Sequence, residues 1–146
     1  MPRPKLTPEI AYKLARRLYE AIGERNMHLE SMIIQDPYVA YMYARRVLKA
    51  PWPAAESVIA QNPVWAYWYT RELLKDYRFF EAEPVIAQDP GTACDYAKYI
   101  LKAPWPEAEI TIAQDTGWAQ LYVRDVLETS EDYARFAEVQ QWVNRS

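Results

Sequence analysis

Residues 36–49 read DPYVAYMYARRVLK, and this stretch decides the fold. Asp36 followed by Pro37 is typical of a helix start, because aspartate accepts hydrogen bonds from the free amides and proline lacks an amide that needs one. Apolar side chains then recur in steps of one, three and four residues, at Val39, Ala40, Tyr43, Ala44, Val47 and Leu48. This spacing is the stripe of an amphipathic helix. The corner APWP at 50–53 ends it, since a residue before proline avoids helical geometry.

The same pattern occurs five times. The copies begin at Thr7, Asp36, Asn62, Asp89 and Asp115, with spacings of 29, 26, 27 and 26 residues. A fixed period of this size indicates stacked repeats. Each copy joins a long helix A to a shorter helix B, and the last B helix, near 131–143, has the polar ends of a terminal cap. We therefore predict one all-α domain over residues 1–146, a right-handed α-solenoid of about five helical hairpins with a longer C-terminal capping helix.

Composition limits the classes of function. The chain of 146 residues has a net charge of −3, too small to indicate a nucleic-acid protein by itself. The charge is uneven, +4 over residues 1–50, −3 over 51–100 and −4 over 101–146. Cys94 is the single cysteine, no run of 18 apolar residues occurs, and the first residues lack an apolar signal-peptide core. We expect a cytoplasmic protein, in the host cytoplasm if the source is a virus.

A cation and a glutamate also recur at fixed positions. Each glutamate of helix B is 15 residues before a cation of the next helix A. This constant spacing predicts a structural ladder of ion pairs between helices. Its members are Glu30 with Arg45, Glu56 with Arg71, Glu83 with Lys98, and Glu109 with Arg124.

Residues for catalysis are sparse. His28 is the single histidine, Cys94 has no evident activating partner, and the three glycines are isolated. We therefore predict that the chain is not an enzyme and carries neither a metal site nor a cofactor.

Divergence between the copies indicates where function lies. The second and third copies concentrate rings on positions at the edge of the apolar stripe, where the fourth copy has small and polar residues. Tyrosine, tryptophan and methionine are enriched at protein interfaces, so we predict a partner-binding surface with a charged rim. The alternative is that these side chains are buried between neighbouring copies. The candidate residues are Tyr38, Tyr41, Met42, Trp65, Tyr67, Trp68 and Arg46.

The repeat resembles the short tandem helical repeats of phage and bacterial proteins of unassigned role. Residues 105–109, WPEAE, and 36–44, DPYVAYMYA, carry the resemblance most fully, and it covers about residues 7–128. It implies an α-solenoid and a viral origin, and it brings no activity or site residues with it.

The function predicted from the sequence is protein binding, as an adaptor, a scaffold or a phage-type inhibitor of a host protein. The partner is another protein, with self-association as a further option, and no membrane is involved. Two alternatives remain open. The basic N-terminal third could bind nucleic acid, or the basic end of one copy could meet the acidic end of another in a self-assembling structural protein.

Overall fold

The computed structural model describes residues 1–146 and contains only helices, turns and loops. Its ten α-helices are α1 (Pro8–Ile22), α2 (Met27–Ile33), α3 (Pro37–Tyr43), α4 (Pro53–Ile59), α5 (Pro63–Glu72), α6 (Glu83–Ile86), α7 (Pro90–Tyr96), α8 (Glu109–Ala113), α9 (Thr116–Asp125) and α10 (Ser130–Arg145). Odd-numbered helices are the A helices of the sequence pattern, and even-numbered ones are the B helices. The all-α prediction is confirmed.

The predicted helix starts are also confirmed. Each A helix is capped by the side chain of the residue that opens its copy, which accepts a hydrogen bond from the amide three residues later. The caps are Thr7, Asp36, Asn62, Asp89 and Asp115. Four A helices have proline at the first position, and α9 has Thr116 instead.

The A helices end in an unexpected way. π-helical turns extend α3 through Ala44–Leu48 and α7 through Ala97–Leu101. Lys49 and Lys102 then adopt the left-handed conformation, each with φ of 52°. Glycine usually occupies this position after a helix, because other residues meet a steric cost there. The sequence pattern had suggested an ordinary α-helical end before proline.

Helices pack in the order of the chain. Each A helix from α1 to α7 contacts the next A helix and the B helix that follows it. Each B helix from α2 to α8 also contacts the next A helix. One apolar cluster, from Ala11 to Phe136, extends through all five copies.

Rings of the A–B corners belong to this core. Trp52 and Trp105 are buried, and their rings lie against Tyr43 and Tyr96, with centroids 5.0 and 5.3 Å apart. Phe79 takes the same place against Tyr69. The corner tryptophans are therefore packing residues of the core.

A buried tyrosine joins each hairpin to the next. Tyr69 in α5 donates its hydroxyl proton to Glu56 of the preceding B helix at 2.8 Å. The same oxygen accepts a hydrogen bond from the backbone N–H of Trp52 at 2.7 Å. We call this arrangement the tyrosine link. It recurs as Tyr96 with Glu83 and Phe79, and as Tyr122 with Glu109 and Trp105.

The first two copies mark where the tyrosine link begins. Tyr43 donates to Glu30 at 2.7 Å, without the backbone donor. Leu14 occupies the same position in the first copy and is 44% exposed, whereas the four tyrosines are fully buried. Residues 1–7 form no helix, and the side chain of Leu14 is left partly open to solvent. Burial is the main reason that the pKa of each of these tyrosines lies well above its usual value of 10.0.

The predicted ladder of glutamates with A-helix cations is wrong. None of the pairs Glu30–Arg45, Glu56–Arg71, Glu83–Lys98 and Glu109–Arg124 forms, and each glutamate instead accepts a hydrogen bond from the tyrosine. Each cation is two residues beyond that tyrosine, and two residues turn a helix by about 200°. The cation therefore faces away from the glutamate.

Other cations bind three of the four glutamates, and the A-helix cations bind elsewhere. Arg25 and Arg78 each hold the glutamate five residues later, with N–O distances of 2.7 Å. Arg135 of α10 holds Glu109 with two hydrogen bonds. The A-helix cations reach along the row of A helices, as in Arg45–Glu72 at 2.7 Å, Lys98–Asp125 at 3.1 Å and Arg71 over the Tyr99 ring at 5.0 Å.

Removing one hydroxyl group tests the tyrosine link. We expect Tyr96→Phe to lower the free energy of unfolding by about 1–3 kcal/mol, because the Phe79 N–H and the Glu83 carboxylate each lose a buried partner. Urea denaturation followed by circular dichroism measures this change. The matched control is Tyr77→Phe, whose ring is 77% exposed and whose hydroxyl makes no hydrogen bond within the chain. Equal stability of the two variants would contradict the role assigned to Tyr96.

Candidate functional site

The ring-rich positions lie where the row of A helices meets solvent, and the structure divides them by depth. Tyr41, Met42 and Tyr67 are buried, as expected if these side chains pack inside the protein and do not form a binding surface. Trp65 is half-buried. Tyr38 and Trp68 are 45% and 43% exposed, and Arg46 is also exposed. The surface that a partner could touch is therefore smaller than the sequence suggested.

Stacking between α3 and α5 organises the exposed rings. The Trp65 ring lies 4.6 Å from the Tyr38 ring and 5.6 Å from the Tyr41 ring, measured between centroids. Tyr38 is the second residue after its cap and Trp65 the third after the next cap. Successive A helices therefore meet through these two positions.

One cleft forms beside this stack, which we call the aromatic cleft. Its volume is about 330 Å³. Its lining consists of Tyr38, Tyr41, Met42, Arg45, Arg46, Trp65, Trp68 and Glu72. Glu72 accepts hydrogen bonds from Tyr41 and binds Arg45, so both charges are satisfied. Arg46 has no ion pair or side-chain hydrogen bond, and it leaves a free positive charge at the edge.

A second and larger cleft, of about 500 Å³, lies on the other side of Trp68. We call it the acidic cleft, because aspartates supply its only ionised side chains at neutral pH. Its lining consists of Val64, Tyr67, Trp68, Asp89, Pro90, Gly91, Thr92, Asp95, Asp115 and Trp118. Small residues open it, since Val64 and Thr92 occupy the positions where Tyr38 and Trp65 stack in the preceding pair of helices.

Glycine shapes one wall of the acidic cleft. A Cβ atom on Gly91 would lie 2.8 Å from the Trp118 ring, closer than packing allows. Gly91 thus lets Trp118 lie directly against the start of α7. Tyr38 holds the equivalent position in α3, where a ring stacks on a ring instead.

The three carboxylates of the acidic cleft differ in their bonding. Asp89 and Asp115 cap α7 and α9, where they accept hydrogen bonds from the amides of Thr92 and Trp118. Asp95 makes no ion pair and no hydrogen bond with its side chain. Burial raises the pKa of Asp95, and the more distant charges of Lys98 and Arg71 partly oppose this effect.

The sequence pattern identifies Asp89 as the start of a copy and does not connect Asp89 or Asp95 with Trp68 or Trp118. In the structure no three of the histidine, cysteine, aspartate and glutamate side chains lie close enough together to hold a metal ion. The replacement of rings by Gly91 and Thr92 in the fourth copy was the signal for an opening at this place. Nothing in the sequence indicated that Trp118 of the next copy would lie against Gly91.

Other reactive side chains do not line either cleft. Cys94 is buried, and burial raises the pKa of its thiol to about 11, which disfavours the reactive thiolate. His28 is exposed near the start of α2. No helix has both the length and the apolar character required to cross a membrane.

No family model, curated protein or solved structure matches this chain. The resemblance to phage and bacterial tandem repeats therefore rests on the residues quoted above.

Replacing Asp95 tests whether an unpaired, half-buried carboxylate lowers the stability of the folded chain. A carboxyl group with a raised pKa in the folded state holds its proton to higher pH than in the unfolded chain. Stability is therefore lost as pH rises from the pKa of the unfolded chain through the raised pKa of the folded state. We expect Asp95→Asn to raise the melting temperature at neutral pH and to leave it nearly unchanged in acid.

A matched control uses Asp125, whose carboxylate binds both Lys98 and Arg124, so its pKa is lowered. Asp125→Asn should lower the melting temperature at neutral pH. Thermal unfolding by circular dichroism at two pH values measures both effects. A loss of stability in Asp95→Asn at neutral pH would contradict this account.

Proposed function

We propose that this chain is a non-enzymatic protein-binding module, arranged as a right-handed α-solenoid of five hairpins, which holds its partner on the aromatic cleft. The observation that carries the proposal is the pair of exposed rings, Tyr38 and Trp68, beside the unpaired Arg46. Such aromatic and arginine side chains supply most of the binding energy in protein interfaces.

The contacts that hold the rings of the aromatic cleft in place support a role in partner binding. Trp65 stacks between Tyr38 and Tyr41, and the Tyr41–Glu72–Arg45 contacts lie beneath and beside the rings. Side chains that are fixed before binding lose little conformational entropy when a partner arrives. An adaptor, a scaffold and a phage-type inhibitor of a host protein all fit this surface. Because Arg45 and Glu72 bind each other, the exposed rings and Arg46 are the groups left to contact a partner.

A double variant tests this function. We expect Tyr38→Ser with Trp68→Ser to weaken the affinity for the partner about a thousandfold, since each of the two lost anchors costs about 2 kcal/mol. The purified chain serves as bait in a lysate of the source cell or its host, and bound proteins are identified by mass spectrometry. Circular dichroism should stay helical, because both rings are partly exposed.

The matched control is Tyr77→Ser with Phe80→Ser, which removes two exposed rings from the corner before α6. This control should capture the partner as the unchanged chain does. Equal loss in both double variants, or equal capture by both, would contradict the proposal.

Nucleic-acid binding is a second proposal, favoured by one specific observation. Arg16, Arg46 and Lys49 line a cleft of about 240 Å³ between the first and second copies. Glu20 in the same cleft binds Arg16 at 2.7 Å and so reduces the free positive charge. Fluorescence titration with labelled single-stranded DNA at several salt concentrations tests it. A steep loss of affinity with salt supports it, and no binding at low salt overturns it.

A further inference from the structure

We propose that the acidic cleft is the docking site for the basic segment 1–6 of a second copy, so that the chain associates head to tail. The inference concerns a different surface from the aromatic cleft, although Trp68 borders both. It rests on the chemistry of the cleft and of the segment.

The acidic cleft has the features of a site for a cationic, extended segment. Asp89, Asp95 and Asp115 line it without any lysine or arginine, and Asp95 has no partner in the chain. Trp68 and Trp118 add two indole rings to the lining. A guanidinium group binds carboxylates with paired hydrogen bonds and also binds the face of an aromatic ring. The carboxylates do not converge on one point, which fits a segment with several contacts better than a single ion.

Residues 1–6 read MPRPKL and have the complementary chemistry. They form no helix, and residues 1–5 are exposed. Arg3 and Lys5 make no ion pair or hydrogen bond with the rest of the chain. Pro2 and Pro4 keep their neighbours extended, and proline-rich segments bind grooves lined by aromatic rings.

The segment cannot reach Asp95 of its own chain. Arg3 is four residues before the cap Thr7, a span of at most about 14 Å. From α1 to α7 there are three steps between neighbouring A helices, through α3 and α5. With about 8–10 Å between packed helices, this distance is about 24–30 Å. A segment 1–6 that docks in this cleft would therefore come from a second copy.

Head-to-tail association has a defined consequence. Each copy offers one segment and one cleft, so the interface is heterologous and continues into rings or open chains of molecules. The charge distribution favours this order, because the first 50 residues carry +4 and the last 46 carry −4. Attraction between exposed charges weakens with salt.

Sedimentation equilibrium of the full chain tests the proposal. At about 25 mM salt, we expect the weight-average mass to rise with concentration, from the 17.2 kDa of one chain to at least about double that value. At about 500 mM salt it should return to one chain. A mass of one chain at every concentration in low salt would overturn the proposal.

Charge reversal identifies the two partners. Arg3→Glu with Lys5→Glu should abolish association, and so should Asp95→Lys. Combining all three substitutions in one chain should restore part of the mass increase. Lys13→Glu with Arg17→Glu is the matched control, because it makes the same change in net charge on the exposed face of α1. This control should still associate.

Two results would overturn the assignment: equal loss of association in the control, or no recovery in the triple variant. The Arg3→Glu, Lys5→Glu variant leaves the aromatic cleft untouched. Its capture of a partner protein should therefore be unchanged, so this inference and the proposed function fail separately.

Discussion

The hydroxyl group of a buried tyrosine is the interaction on which the rest of the structure depends. In three of the four junctions between hairpins this hydroxyl group accepts a hydrogen bond from a corner N–H and donates a hydrogen bond to a glutamate. Each of these groups would be costly to bury alone. Because all three must meet at one place, the tyrosine link fixes how far each A helix is turned and shifted against the hairpin before it.

That fixed register determines which side chains meet at the surface. Between the second and fifth copies, the second residue after one cap lies beside the third residue after the next cap. In the aromatic cleft this pair is Tyr38 with Trp65, and the rings stack. One step further it is Val64 with Thr92, and a cleft opens. The last pair is Gly91 with Trp118, and the ring lies against the backbone. Two different clefts thus arise from one repeated contact.

Local features of the fold were predictable from the sequence, and long-range partners were not. The caps at Asp36 and Asp115 and the proline starts follow from rules that act within a few residues. The constant spacing of Glu83 before the next helix was seen, but its partner was taken to be Lys98 instead of Tyr96. Opposite charges at a constant spacing suggest an ion pair, but the direction in which each side chain leaves the helix decides which residues meet. The acidic cleft was missed because Asp95 and Trp118 belong to different copies.

Native-state hydrogen exchange tests the central claim most directly. The amides of Trp52, Phe79 and Trp105 lie in corners outside regular helical hydrogen bonding, and the tyrosine hydroxyl is their acceptor. The account predicts that these three amides exchange slowly, at rates close to those of the helix cores, whereas the amide of Asn26 at the equivalent position exchanges fast. Fast exchange at all three corners would contradict the tyrosine link as the interaction that holds the hairpins together.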